Sequence, residues 1–257
     1  MSNSSVIDAN ISEQKQRELW ELITAWMQQN LLENEDFSEW KNTQLRESIL
    51  TGLFPEHLLG PRNDFQFSET IETEHSLIHG YVALMRALIR TRECEPYFRR
   101  YPFKNLDITR ESHLSTCCEL FFSRVYQFEA SWVAQIKRLD RKTRPKGLPI
   151  KKIQAEFRDR FKSIIDARNE VHHVTPYADE KLNALGITDL LSSNADDLDW
   201  VRMSQSNYRR ICRDWVAKVQ AVCVQLELYV GQIASLMLQR CQFLYSSKAM
   251  ENGTLTK

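Results

Sequence analysis

The sequence predicts an all-α fold, a single helical bundle with several long antiparallel helices, and three observations carry that prediction. Apolar residues recur at spacings of three and four through most of the chain. Strand-like alternation is absent, and only 7 Gly and 7 Pro punctuate 257 residues. Hairpins, sandwiches and phosphate-cradling loops draw on Gly and Pro, so their scarcity weighs against β-rich architectures. With 42% hydrophobic and 26% charged residues the chain can bury a sizeable core.

The elements follow from the same periodicity. Leu19, Ile23, Trp26, Met27 and Leu31 define a first helix after a polar tail, and DFSEWKNTQLRESIL a second, with Asp36 and Glu39 as its capping pair. GLFPEHLLGPRNDFQF collects Gly, Pro and Asn and reads as a loop. A third helix spans about Thr70 to Thr91 and is broken by ECEPYFRRYPF. A fourth begins near Asp107 or Thr109 and aligns Leu114, Cys117, Phe121, Val125, Phe128, Trp132, Ile136 and Leu139 on one side. A fifth runs from Ile153 through Phe157, Phe161 and Ile164 to Arg168, and one or two short helices fall within 178–200. Tyr208 to Leu244 carries an apolar residue every 3.6 positions on average, the α-helical period. The division expected is a flexible tail over 1–12, one bundle over 13–245 and a second flexible tail over 246–257.

Composition excludes several function classes. With 34 basic and 34 acidic residues, the formal net charge of zero argues against non-specific coating of nucleic acid or anionic lipid. The six cysteines show no CxxC pair and no zinc spacing, and read as reduced core thiols. MSNSSVIDANISEQ has no charged region followed by an apolar run, and no window is read as a membrane span, so the expectation is a cytoplasmic protein without a membrane partner. No Gly-rich phosphate loop or nucleophile elbow occurs, which excludes Walker-type and α/β-hydrolase chemistry; no cofactor is assigned. His75 and His79 stand four apart beside Glu74, a spacing able to grip a metal, but no third ligand is identifiable and no metal site is assigned.

The stretch IIDARNEVHHVTPY, residues 164–177, holds the candidate chemistry. Arg168 continues the face of Phe157, Phe161 and Ile164, and His172 follows four residues on. A guanidinium keeps its proton, so one facing the core needs a carboxylate, a carbonyl or a bound anion. His173, five beyond Arg168, lies about 140° off that face in a regular helix. Either the helix unwinds before it, as Thr175-Pro176 favours, or it points elsewhere. A histidine pair in a last helical turn also serves simply as a favourable helix end.

RNEVHH, residues 168–173, resembles the Arg-x4-6-His motif of the HEPN superfamily (higher eukaryotes and prokaryotes nucleotide-binding domains), with Arg168, Asn169 and His173 matching position by position. The resemblance covers six residues and their helical context, about 109–245. It implies a HEPN-like all-α bundle and metal-independent RNA cleavage by 2′-hydroxyl attack, often in a toxin or phage-defence protein. It also implies a homodimer with a composite site and an antitoxin or nucleotidyltransferase-like partner. Arg168 would stabilise phosphoryl charge and His173 would act as acid or base, with Asn169 orienting and His172 supporting or replacing His173. The alternative is a non-catalytic helical module that binds a protein or nucleotide in the same cleft.

One further run is basic. Lys142, Arg144, Lys146, Lys151 and Lys152 belong to a stretch from Lys137 to Lys152 containing a single acid, Asp140, and are candidate RNA-phosphate contacts, against an ordinary solvated loop. Tyr126, Phe128, Trp132 and Trp215 read as core.

Overall fold

The structure, a computed structural model, describes residues 3–53, 65–103, 107–173, 176–194 and 198–246; the side chains of 3–9, 51, 53, 172, 173 and 194 fall outside that description. The described residues form helices α1 (Asn3–Met27), α2 (Glu35–Leu53), α3 (Glu69–Arg92), α4 (Glu95–Arg99), α5 (Arg110–Lys142), α6 (Ile150–Arg160), α7 (Lys162–His173), α8 (Glu180–Asn194) and α9 (Leu198–Arg240), with a π-helical turn at Gln28–Leu32 and no strand among them. The class is all-α.

Several boundaries differ from the sequence reading, each for a local reason. α1 starts at Asn3, inside the stretch assigned to a tail, because no Gly or Pro precedes Gly52 to stop it. Asn34, not Asp36, caps α2: its side-chain oxygen accepts from the Phe37 N–H at 2.9 Å. Thr109 caps α5 through the Ser112 N–H, and Asp179 caps α8 through the Leu182 N–H. The expected fifth helix is two helices. At Phe161 (φ −106°, ψ 21°) the chain leaves α6, and the N–H groups of Ile164 and Ile165 both return to the Phe161 carbonyl to start α7. The expected loop before α3 lies largely outside the described residues.

The chain divides into two compact units. The first comprises Met1–His79, Arg138–Lys146 and Gly231–Lys257. Its core gathers Leu19, Ile23 and Trp26 of α1, Leu77 of α3, and Ile233 and Met237 of α9, all at most 2% exposed. The Trp26 indole donates to the Glu74 carboxylate at 2.7 Å. Gly231 lets α9 approach α1, since a Cβ there would meet the Ser12 hydroxyl oxygen at 1.8 Å.

The second unit comprises Gly80–Lys137 and Gly147–Val230. Phe157 of α6 stacks with Phe128 and Trp132 of α5 and meets Phe161 and the Tyr229 edge, at centroid distances of 4.7 to 6.2 Å. The pairs Trp132–Phe157, Glu129–Arg158 and Tyr126–Arg168 show α6 and α7 running antiparallel along α5. Phe121–Trp215 and Trp132–Tyr229 advance together, so α9 runs parallel to α5 rather than antiparallel. The intervening α6, α7 and α8 carry the chain back to allow this.

Two further features bear on the environment of the chain. All six cysteines are free and buried. Burial pushes the thiol of Cys94 up to about 11 and those of Cys117, Cys223 and Cys241 up to about 12, and raises Cys118 and Cys212 as well. α9 also holds an 18-residue stretch of mean hydropathy 1.5, apolar and long enough to cross a membrane, where none was expected. The average tolerates the scattered Gln and Glu of that helix, and 56% of the stretch is buried within the protein.

Candidate functional site

Arg168 sits on α7 where the buried stripe of Phe161, Ile164 and Ile165 reaches the surface. Its guanidinium lies over the Tyr126 ring of α5, 4.1 Å from the centroid, a cation–π contact with a half-buried partner. Tyr126 is therefore the seat of the arginine rather than core, while Phe128, Trp132 and Trp215 are buried as expected. One Arg168 terminal nitrogen donates to the Asn169 side-chain oxygen at 3.3 Å, and its buried Nε has no hydrogen-bond partner. No carboxylate forms an ion pair with Arg168 among the described residues.

Arg168 lines a cavity of about 300 Å³ together with Glu119, Phe122, Ser123 and Val171. The segment following α7 is tied back to α5 beside it. The Tyr177 N–H donates to Glu119 at 2.9 Å, the Tyr177 carbonyl accepts from Ser115 at 2.5 Å, and the Tyr177 ring meets the Phe122 edge at 4.9 Å. Burial raises the Tyr177 phenol well above its ordinary range, so it stays neutral and donates to Asp179 at 3.2 Å. Glu119, Ser123 and Tyr177 did not emerge from the sequence. The only trace there was Tyr177 at the end of the quoted stretch.

α7 stays helical through His173, so the unwinding considered between Arg168 and His173 does not occur. On a continuous helix, position 172 falls about 40° from Arg168 and position 173 about 140°. The side chains of His172 and His173 themselves lie outside the described residues. Asn169 is exposed and accepts a hydrogen bond from Arg168 through its side-chain oxygen.

Of the basic run, Lys151 and Lys152 belong to the same unit as this cavity and do not line it. Lys151 and Lys152 stand exposed in the first turn of α6, which has no acidic residue to complement its dipole. They are separated from Arg168 by roughly 25 Å of helical rise along α6 and α7. Lys142 donates to the Ser76 hydroxyl at 2.7 Å. Arg144 and Lys146 are exposed in the following loop, where Gly147 at φ +97° makes a turn that side chains rarely adopt.

His75 and His79 have ring centroids 6.2 Å apart, with His75 also stacked on Trp26 and Phe67. Burial lowers the His75 pKa. No group of three or more metal-ligating side chains forms among the described residues.

Arg168 thus presents a positive charge, seated on an aromatic ring and in no ion pair among the described residues, to a small open cavity that Glu119 also lines. Such a group can receive an anion beside the Ser123 hydroxyl, with the Glu119 carboxylate on the same wall opposing it. Compared with protein-family models, curated proteins and solved structures, the chain matches none.

Proposed function

We propose that the protein is a metal-independent endoribonuclease of HEPN type, with Arg168 receiving the scissile phosphate. The observation that carries this reading is the half-buried Arg168 guanidinium, braced by Tyr126 and Asn169 and forming no ion pair among the described residues. A cation held in that way is stabilised most by an anion from outside the fold.

An imidazole next to it takes the proton of a ribose 2′-hydroxyl, and that oxygen attacks phosphorus. The 5′-oxygen of the next nucleotide leaves with a proton, and a 2′,3′-cyclic phosphate remains. Arg168 stabilises the charge growing on the non-bridging oxygens. Helix continuity favours His172 as the neighbour of Arg168 within one chain, and the motif resemblance favours His173. One imidazole cannot serve as base and acid at once, so a homodimer that brings two motifs together supplies both. The reading keeps the cytoplasmic location expected from the sequence, and an antitoxin or nucleotidyltransferase-like partner as the resemblance implies.

The test is incubation of purified protein with RNA and with DNA of the same sequence in EDTA. Cleavage of RNA alone, leaving cyclic-phosphate ends, is the expected result. Absence of cleavage at concentrations where the protein is dimeric would leave the non-catalytic binding module in its place.

A further inference from the structure

A larger cavity in the second unit, about 960 Å³, opens between α4 and the first half of α9. Four arginines line it, Arg99, Arg202, Arg209 and Arg213, and no acidic residue does. Only Arg99 is balanced closely, by Glu95, which also accepts from Gln220 at 3.3 Å. Arg202 has one exposed contact with Asp199 at 3.6 Å. Arg209 and Arg213 form no ion pair among the described residues. Such a concentration in a chain of zero net charge is a demand for an external polyanion.

The cavity wall holds a second, independent sign of a ligand. The Tyr208 hydroxyl is buried and meets only the Cys212 thiol, a weak partner, among the described residues. Its ring lies beneath Arg110, 5.3 Å from centroid to guanidinium carbon, and Arg110 is itself held by Asp189 through bonds of 3.0 and 2.5 Å. The hydroxyl is therefore fixed in place, and its burial keeps it protonated. A buried hydroxyl answered only by a thiol keeps hydrogen-bonding capacity to spare, and on a cavity wall it is suited to a ligand atom. Val216 and Ala217 supply an apolar patch beside it.

We propose that this cavity binds a compact phosphate ester of nucleotide size, a nucleoside di- or triphosphate in chemical class. A single carboxylate carries too little charge to answer several guanidinium groups, whereas adjacent phosphates match their forked donors. The volume falls within the range of small-molecule sites. A groove that merely tracked an RNA backbone would need neither the apolar patch nor the fixed hydroxyl. The site is separate in its residues from the Arg168 cavity, and the inference stands or falls without the nuclease reading.

The experiment is calorimetric titration of the full chain with ATP, UTP, pyrophosphate and a ten-nucleotide single-stranded RNA, at physiological salt. A nucleoside triphosphate should bind in the micromolar range. Arg209→Ala and Arg213→Ala should each weaken it by about tenfold or more, and Tyr208→Phe should weaken it while leaving pyrophosphate unaffected. Arg168→Ala, whatever it does to RNA, should leave nucleoside triphosphate binding at this cavity unchanged. Both variable arginines are exposed, so thermal unfolding of the variants should match the parent and certify their folding. Failure of either nucleotide to bind, binding undiminished in the double variant, or pyrophosphate binding as tightly as ATP would overturn the proposal. RNA binding without nucleotide binding would overturn it too and reassign the cavity to RNA.

Discussion

Arg168→Ala is expected to reduce RNA cleavage by about a hundred- to a thousandfold, the usual consequence of removing one donor from the charge developing in a transition state. The fold should survive, because the guanidinium sits at the edge of the second unit, over Tyr126, rather than within its core. Arg168→Lys separates charge from geometry. The ammonium keeps the positive charge but loses the flat stacking on Tyr126 and the forked donors, so it should recover only a small part of the activity. Tyr126→Leu should fall between, since it removes the seat but leaves the arginine. Single-turnover cleavage rates, with circular dichroism as the folding control, check the series. Full activity in Arg168→Ala would remove the arginine from the chemistry. The same assay on His172→Ala and His173→Ala identifies the imidazole that transfers the proton.

Phe157→Ala is expected to cost the protein about 3–5 kcal/mol of stability, the range for truncating a fully buried aromatic residue. Phe157 is 0% exposed and meets Phe128, Trp132, Phe161 and Tyr229, so its loss leaves a void shared by α5, α6 and α9. The midpoint of thermal unfolding should fall by roughly 6–20 °C. Because the same cluster fixes where α7 departs, activity at low temperature should fall as well. A midpoint within a degree or two of the parent would mean that the cluster does not hold α6 against α5. Phe157→Leu, which leaves less empty space, should lie nearer the parent.

The long helices could be read directly because their stripes repeat over many turns, as in α5 from Leu114 to Leu139 and α9 from Ile211 to Met237. The break at Phe161 was invisible for a definite reason. Phe161 is itself the next apolar member of the stripe, so a kink there leaves the pattern intact. Asn34 and Asp36 are equally good capping residues two apart, and only the bond to Phe37 distinguishes them. At the candidate site, Arg168 and Asn169 were found because they follow an apolar stripe and stop it. Tyr126 was taken for core because it lies beside Val125 and Phe128 at the margin of the buried face. Glu119 reaches the Arg168 cavity across 49 residues of chain and accepts from Tyr177 across 58, through folding alone, which no local pattern encodes. The arginines of the larger cavity did leave a trace, since Arg202, Arg209 and Arg213 are spaced by seven and four.

The raised thiols give the molecule a built-in reporter of its own breathing. With pKa values near 11 and 12, thiolate at neutral pH is scarcer by about a hundred- to a thousandfold than at an exposed cysteine, and the sulfurs are shielded from reagents as well. Alkylation therefore proceeds only when the surrounding structure opens. Cys241 belongs to the first unit and the other five to the second, so the order in which they become labelled times the opening of each separately.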